Sequence, residues 1–543
     1  MDLFNYDWKN AKYWSMSKFS PRPEQREIID EISEAMDLGF KNIILEAGTG
    51  IGKSAIATTI ANMVNSSYIL TMTNQLQAQY LQDFENILME IKGRSNYKCN
   101  YQSTCEDCYM EELEEYKCND CPYIAALQEA IVSKNVITNY DYLYYAGHFS
   151  GILPKRELLI LDETHNFEKK MMSLISKTMN RKTIRNKYGI DIFETVKKGA
   201  TLKSINNPNY WIKMVERLLE KIKFTPALTT KEKKSKVKEL NKYDSLLKVL
   251  SNDKWIIELP SKKEILADKS FKDGLKVEFK PLTIADYSDD LLSFGETRLF
   301  LTGTLGNKDK FCKWIGIDPN ETYYIYMKSP FPVEHRPIIK SYAGKMSGFT
   351  SNRRPNWKNP KALNMINEII TKHSGEKGVI HTSSNQQAWW IKKSLNNRDI
   401  LVAQGSTREE TINKFENSRK PVILIGAGIK DGVDFKGDKC RYQILFKMPF
   451  PSLASAQVNI RKHYDKTWYA YQTIMPLMQA YGRGIRDMDD QCTMYVLDSD
   501  FDSLLSSYRY LFNEYFLEAI RGGNHNRKRK IKIIPKKHVE ESV

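Results

Sequence analysis

The octapeptide Ala47-Gly48-Thr49-Gly50-Ile51-Gly52-Lys53-Ser54 constrains this chain more than any other segment. It follows Asn42-Ile43-Ile44-Leu45 and precedes Ala55-Ile56-Ala57-Thr58-Thr59-Ile60, which reads as buried strand, glycine loop, helix. A strand that feeds a helix in this way belongs to a layered α/β domain. The glycines let main-chain N–H groups close on phosphates, and the helix N-terminus adds a favourable dipole. In that setting Lys53 reaches the β- and γ-phosphates of a nucleotide and the Ser54 hydroxyl holds Mg²⁺. Ala47 stands where the usual pattern has glycine, which is tolerated where φ is negative.

Further apolar runs have the length of buried parallel strands: Tyr68 to Leu70, Leu158 to Leu161, Leu299 to Leu301, Val379-Ile380, Val422 to Ile425, Gln443 to Phe446 and Met494 to Leu497. Helical stretches such as Gln75 to Ile91 and Pro360 to Lys372 lie between them. The runs cluster before about residue 165 and after about residue 375, which predicts two doubly wound α/β domains in a chain of 543 residues. The stretch from Lys169 to Asp290 is rich in Lys, Glu, Leu and Asn, and has helical apolar spacing at Trp211, Met214, Val215, Leu218 and Leu219. It reads as a mostly helical insertion.

Leu158-Leu159-Ile160-Leu161-Asp162-Glu163-Thr164-His165 places two carboxylates at the C-terminal end of a buried strand, the edge where open α/β sheets bind ligands. Asp162 would hold Mg²⁺ through water, and Glu163 would orient or deprotonate the attacking water. Taken alone, the pair reads equally as an acidic helix N-terminus. Gln479-Ala480-Tyr481-Gly482-Arg483-Gly484-Ile485-Arg486 is expected to set two arginines, three apart, on one helix face. They suit a γ-phosphate offered by another domain, or a surface ion-pair cluster.

The formal charge of +16 favours a polyanionic partner, although lysine-rich coding gives the same excess. From Arg521 to Lys537 there are eight Lys/Arg and no acid, a basic arm or a solvated end. No run is long enough to span a membrane, and Met1-Asp2-Leu3-Phe4-Asn5-Tyr6-Asp7 has no secretory pattern, so a cytoplasmic (nucleoid-associated or nuclear) protein is expected. Five of eight cysteines fall in one window: Cys99, Cys105, Cys108, Cys118 and Cys121. In a cytosolic protein such clustering argues for metal rather than disulfides, and the spacing by itself is that of a zinc ribbon or knuckle.

These motifs in this order resemble superfamily 2 helicases, and the finer pattern resembles the XPD/DinG family of iron–sulfur DNA helicases, from about Pro21 to Phe501. Arg22-Pro23-Glu24-Gln25 looks like the family's opening motif, with Gln25 near the adenine. Thr71-Met72-Thr73-Asn74 looks like motif Ia, Thr138-Asn139-Tyr140 like its "TN(H/Y)" segment, and Thr302-Gly303-Thr304-Leu305 like motif III. Asp431-Gly432-Val433-Asp434-Phe435 resembles motif V, and Met448-Pro449-Phe450-Pro451 the "PFP" segment. Gln479, Gly482, Arg483 and Arg486 match motif VI. Departures are mild: Ile51 replaces Thr, Thr164 replaces Ala and Asp431 replaces Glu.

The resemblance implies two RecA-like motor domains. Lys53, Asp162, Glu163, Gln479, Arg483 and Arg486 would be catalytic, and Gln25, residues Ala47 to Ser54 and Asp434 would bind ATP. Ser54 and Asp162 would hold Mg²⁺. It also implies a [4Fe–4S] cluster, because the Cys99 and Cys121 surroundings look like the family's cluster segments. Its ligands would be Cys99, Cys105, Cys108 and Cys121, with Cys118 as substitute. The expected order is motor domain 1 over 1–94, 126–168 and 291–331, an iron–sulfur insertion over 95–125 and an Arch-like helical insertion over 169–290. Motor domain 2 follows over 332–520 and a basic tail over 521–543. With about twenty residues before Pro21, no N-terminal nuclease domain is expected.

The expected function is an ATP-dependent, 5′→3′ DNA helicase. It would act on single-stranded and forked DNA in repair, recombination or replication, as a monomer. The alternatives are a DNA translocase or RNA helicase without productive DNA unwinding, and a zinc-stabilised, non-catalytic nucleic-acid-binding protein.

Overall fold

A computed structural model describes residues 14, 20–48, 50–84, 86–100, 103–107, 120–267, 274–395, 399–429, 437–485 and 488–521. The helix Pro23–Asp37 lays Ile28, Ile29, Ile32 and Ala35 on a sheet that opens with β1 (Asn42–Ala47), β2 (Ser67–Thr71), β3 (Met89–Glu90), β4 (Asn135–Asn139) and β5 (Arg156–Leu161). The chain then leaves for an insertion that contributes β6 (Lys177–Asn180), β7 (Trp255–Glu258) and β8 (Lys276–Pro281). It returns through β9 (Gly295–Thr302) and β10 (Thr322–Met327). The strand order is β10-β1-β9-β5-β2-β4-β3, with every pair parallel. Both faces are covered, which is why β1 and β2 are buried at every residue.

The register of this sheet builds the site. Glu46 of β1 lies beside Thr302 of β9, and Phe300 of β9 beside Leu161 of β5. The glycine loop, the Asp162-Glu163 pair and Thr302-Gly303 therefore leave one edge side by side.

The second sheet is β11 (Ile338–Gly344), β12 (Gly378–Thr382), β13 (Ile400–Val402), β14 (Ile423–Ala427), β15 (Tyr442–Leu445), β16 (Thr493–Asp498) and β17 (Ile520–Arg521). Its order is β13-β14-β12-β15-β16-β11-β17, again all parallel. Two RecA-like doubly wound domains result. Each apolar run singled out in the sequence falls in a strand, to within a residue at its ends.

Two expectations change. The helix expected over Gln75 to Ile91 ends at Asp83, and Met89-Glu90 instead pair with Val136-Ile137 of β4. Asn86, at φ 68°, turns the chain between them. The insertion is not helical throughout: β6, β8 and β7 form an antiparallel sheet. Its signal was the period-2 burial of Val277, Phe279 and Pro281, too short to stand out among helical spacings. This sheet and the helices Pro208–Phe224 and Thr230–Leu250 pack around Trp211, whose Nε1 donates to Ile205 O at 2.6 Å. The insertion's core is continuous with that of the first α/β domain. Among the described residues no helix is long and apolar enough to cross a membrane. The Arg521–Lys537 arm lies, after Arg521, outside the described residues.

Candidate active site

The glycine loop takes its shape from two left-handed residues, Gly50 at φ 88° and Gly52 at φ 83°. Gly52 is the N-cap of the helix Lys53–Met63. Its positive φ strains any L side chain, and a Cβ there would sit 2.4 Å from Gln25 Nε2 and displace that amide. Lys53 Nζ donates back to Ala47 O at 2.8 Å and to Gly48 O at 3.3 Å, in the mouth of the loop. Gln25 braces the loop from outside: its Nε2 donates to Ile51 O at 2.9 Å, and its Oε1 accepts from Arg22 N at 2.9 Å. Arg22 Nη2 donates to Gly50 O at 2.6 Å. Thr49 lies outside the described residues.

At the end of β5, Asp162 Oδ1 accepts from Glu163 N at 2.8 Å and Oδ2 accepts from the Tyr80 hydroxyl at 3.1 Å. Ser54 lies near the same phenol, so Tyr80 sits beside both residues expected to hold Mg²⁺. Burial, then the neighbouring Glu163 charge, push the Asp162 carboxyl above its usual range, and Lys53 opposes them. Burial likewise raises the Tyr80 and Tyr140 phenols. The Tyr140 hydroxyl donates to Asp162 O at 3.0 Å.

Glu163 has φ 53° and ψ 43°, a left-handed conformation that is strained by about 1 kcal/mol in a non-glycine residue. Its neighbours hold it there. Thr164 Oγ1 donates to the Leu161 and Leu301 carbonyls, at 2.8 and 3.0 Å. Asn166 Nδ2 donates to His165 Nε2 at 2.8 Å, which leaves the proton on Nδ1. That Nδ1 lies 3.2 Å from Glu163 Oε2 and 3.3 Å from Thr302 Oγ1. His165 thus joins the second carboxylate to the Thr302-Gly303 loop.

The second domain faces this edge with the helix Lys466–Gly482. Gln479 lines a cavity between the domains with His165, Glu168, Trp314 and Gln472. Arg483 is the C-cap of that helix, which corrects the expectation of two arginines on one helix face: the helix ends before the pair. Arg486 lies outside the described residues, as do Asp434 and the rest of Asp431 to Phe435. The helix end is fixed from behind. The Tyr481 hydroxyl donates to Arg336 O at 2.8 Å and accepts from Arg336 Nη1 at 3.1 Å, and the buried guanidinium lies 3.7 Å from the centre of the Tyr515 ring.

Two carboxylates that the motifs do not mark join the domains. Glu168 Oε2 accepts from Trp468 Nε1 and from Gln472 Nε2, each at 3.0 Å, and Oε1 pairs with Arg461. Buried Glu46 accepts from the Tyr324 hydroxyl at 2.7 Å and from Asn513 Nδ2 of the second domain at 3.2 Å. Burial raises its pKa. Only position relative to the loop and to Asp162 could have flagged them.

The Cys105 and Cys121 sulfurs face each other at 3.9 Å in the core beside β4, with Cys99 packed against the same core. Burial is the first cause of a Cys105 thiol pushed up to about 11, and Cys121 and Cys99 add to it. Facing thiols of this kind fit a thiolate-held metal group. Cys108 and Cys118 lie outside the described residues. Among the described residues, no group of three or more His, Cys, Asp and Glu is placed to hold a metal ion.

Residues 366–518 match the family "Helicase C-terminal domain", and residues 18–190 match "Type III restriction enzyme, res subunit". The chain is similar to the ATP-dependent DNA helicase YoaA of Haemophilus influenzae, at 21% identity over 89% of this chain and 91% of that protein. It is also similar to YoaA of Escherichia coli, at 20% identity over 92% and 94%. In fold it resembles an XPD helicase structure with a TM-score of 0.59, 16% identity and coverage of 90% of this chain and 97% of that one. S. tokodaii Xpd4 gives 0.55, with 15% identity over 92% and 99%.

Proposed function

We propose that this chain, an XPD/DinG-like superfamily 2 helicase, hydrolyses ATP between its two motor domains to move 5′→3′ along single-stranded DNA and open forked duplexes. The observation that carries the reading is the single edge at which Lys53, Asp162-Glu163 and Thr302-Gly303 converge beneath the second domain.

In this reading the loop amides and Lys53 hold the phosphates, and Ser54 and Asp162 hold Mg²⁺. Glu163 orients the attacking water, with His165 fixing its carboxylate. Gln479, Arg483 and Arg486 approach the γ-phosphate from the second domain, and Asp434 contacts ATP from there. Gln25 supports the loop. Closure on ATP and opening after hydrolysis move the domains along a strand that both grip, chiefly by its phosphates.

The proposed boundaries are those expected above: the cysteine-rich insertion over 95–125, the Arch-like insertion over 169–290 and motor domain 2 over 332–520. Cys99, Cys105, Cys108 and Cys121, with Cys118 as substitute, would hold a [4Fe–4S] cluster; the Cys105–Cys121 approach supports a thiolate site. Such a cluster would supply a rigid cross-link to the insertion. The protein would act as a monomer, inside the cell, in DNA repair, recombination or replication.

The test is strand displacement on DNA duplexes with 5′ or 3′ single-stranded tails, beside the iron content and visible absorption of anaerobically purified protein. Displacement from 5′ tails alone supports the polarity. ATP turnover without displacement favours a translocase. Displacement confined to RNA favours an RNA helicase, and zinc in place of iron removes the cluster.

A further inference from the structure

The first connection of the second motor domain, between β11 and the helix Pro360–Lys372, is basic. From Lys345 to Asn359 it carries Lys345, Arg353, Arg354 and Lys358 and no acid. It is also tightly built. Phe349 and Pro355 form an antiparallel bridge. Thr350 N donates to Arg354 O at 2.8 Å, Arg353 N to Thr350 O at 2.9 Å, and Asn356 N to Gly348 O at 3.1 Å. Arg353 turns the tip at φ 55°.

The root of this hairpin is fixed. Met346 N donates to Asp498 Oδ1 at 3.1 Å, Asn359 Nδ2 donates to Ala343 O at 3.1 Å, and Trp357 is buried against Trp390. A rigid root carries an exposed tip: Phe349 is 71% exposed, and Arg353 and Arg354 are exposed with no carboxylate partner among the described residues. Lys345 does pair with Asp500, at 3.5 Å.

The location follows from the sheet. All its strands run parallel, so the hairpin leaves the same edge as the loops after β12, β14 and β15. Asp498 ties two of these together, because its Oδ2 also accepts from Met448 N of the Met448-Pro449-Phe450-Pro451 loop at 2.9 Å. A lone ring among cations and small polar groups (Thr350, Ser351, Asn352) suits a base flanked by phosphates better than an apolar protein surface.

We propose that this hairpin is a single-stranded DNA contact, in which Phe349 stacks on a base while Arg353 and Arg354 hold the flanking phosphates. The inference rests on the helicase reading and adds a contact that none of the recognised motifs contains.

The test measures binding of fluorescein-labelled oligothymidine to the full chain across a salt series. The double variant R353E/R354E is expected to lose more than about tenfold in affinity and to flatten the log–log salt slope by about 1.4, two single-strand phosphate contacts. F349A is expected to bind about tenfold more weakly with the slope unchanged, the signature of lost stacking rather than lost charge. F349W is expected to bind normally and to add a tryptophan signal that oligothymidine quenches. ATP turnover without DNA stays at the wild-type rate in all three. Wild-type affinity and slope in both R353E/R354E and F349A overturn the hairpin while leaving the helicase reading intact. A wild-type chain that fails to bind oligothymidine overturns both.

Discussion

Glu168, six residues beyond Asp162, accepts a hydrogen bond from Trp468 Nε1 of the second motor domain at 3.0 Å. The same carboxylate pairs with Arg461, whose guanidinium lies 4.0 Å from the centre of the Trp468 ring. The segment that bears Asp162 and Glu163 is therefore fastened to the two helices that lead to Arg483. Removing one partner of a buried pair leaves the other charge without compensation. E168A is expected to destabilise the docked domains by about 3 kcal/mol, read as a lower thermal midpoint. An unchanged midpoint would show the pair to be incidental.

The Tyr80 hydroxyl donates to Asp162 beside Ser54. Y80F keeps the ring and removes that hydrogen bond. The Mg²⁺ concentration needed for half-maximal ATP turnover is expected to rise about fivefold, the worth of one hydrogen bond. An unchanged Mg²⁺ requirement would separate Tyr80 from the metal site.

K53A is expected to abolish ATP turnover while single-stranded DNA binding persists. E163Q is expected to bind ATP yet hydrolyse it about 10²–10⁴-fold more slowly. R486A should slow hydrolysis about a thousandfold with ATP affinity changed much less. A pure affinity effect in R486A would argue against transition-state stabilisation.

C121S is expected to lose iron and visible absorbance while ATP binding in the motor survives. Full iron content in this variant would remove Cys121 from the ligand set.

His381 is buried in β12 and donates to Gln443 Oε1 at 2.8 Å. Burial lowers its pKa to about 4. Between that value and about 6.5 the unfolded chain binds a proton that the folded chain does not, so stability falls as pH drops through this window. The loss is about 1.4 kcal/mol per pH unit, reaching about 3 kcal/mol. Replacement of His381 by Gln should flatten this acid limb in denaturant titrations at pH 7, 6 and 5; an equally steep limb would place the titration elsewhere.

Much of the architecture is local and was legible. Fully buried parallel strands leave unbroken apolar runs, and the glycine loop and the Asp162-Glu163 pair are contiguous in sequence because a strand end delivers them together. The helix boundary at Gly482 was misread. Gly482 and Gly484 are themselves stop signals, which the three-residue arginine spacing outweighed, and the hydrogen bond of Tyr481 to Arg336 O, 145 residues away, anchors the helix end. The three short strands of the insertion were hidden for a similar reason, since alternation over four to six residues is too brief to outweigh helical neighbours.

The sequence by itself determined the chemistry on offer: a phosphate loop, two carboxylates, a pair of arginines and a cysteine-rich window. Tertiary structure decided what these groups touch. Sheet register set the glycine loop beside Thr302-Gly303 and Asp162, because parallel strands far apart in the chain must share one edge. Packing between domains recruited Glu46, Glu168 and Arg461, and packing within the first domain recruited Tyr80; none of these belongs to a motif. Burial without a partner would leave their polar atoms unsatisfied, and only the folded chain brings those partners together.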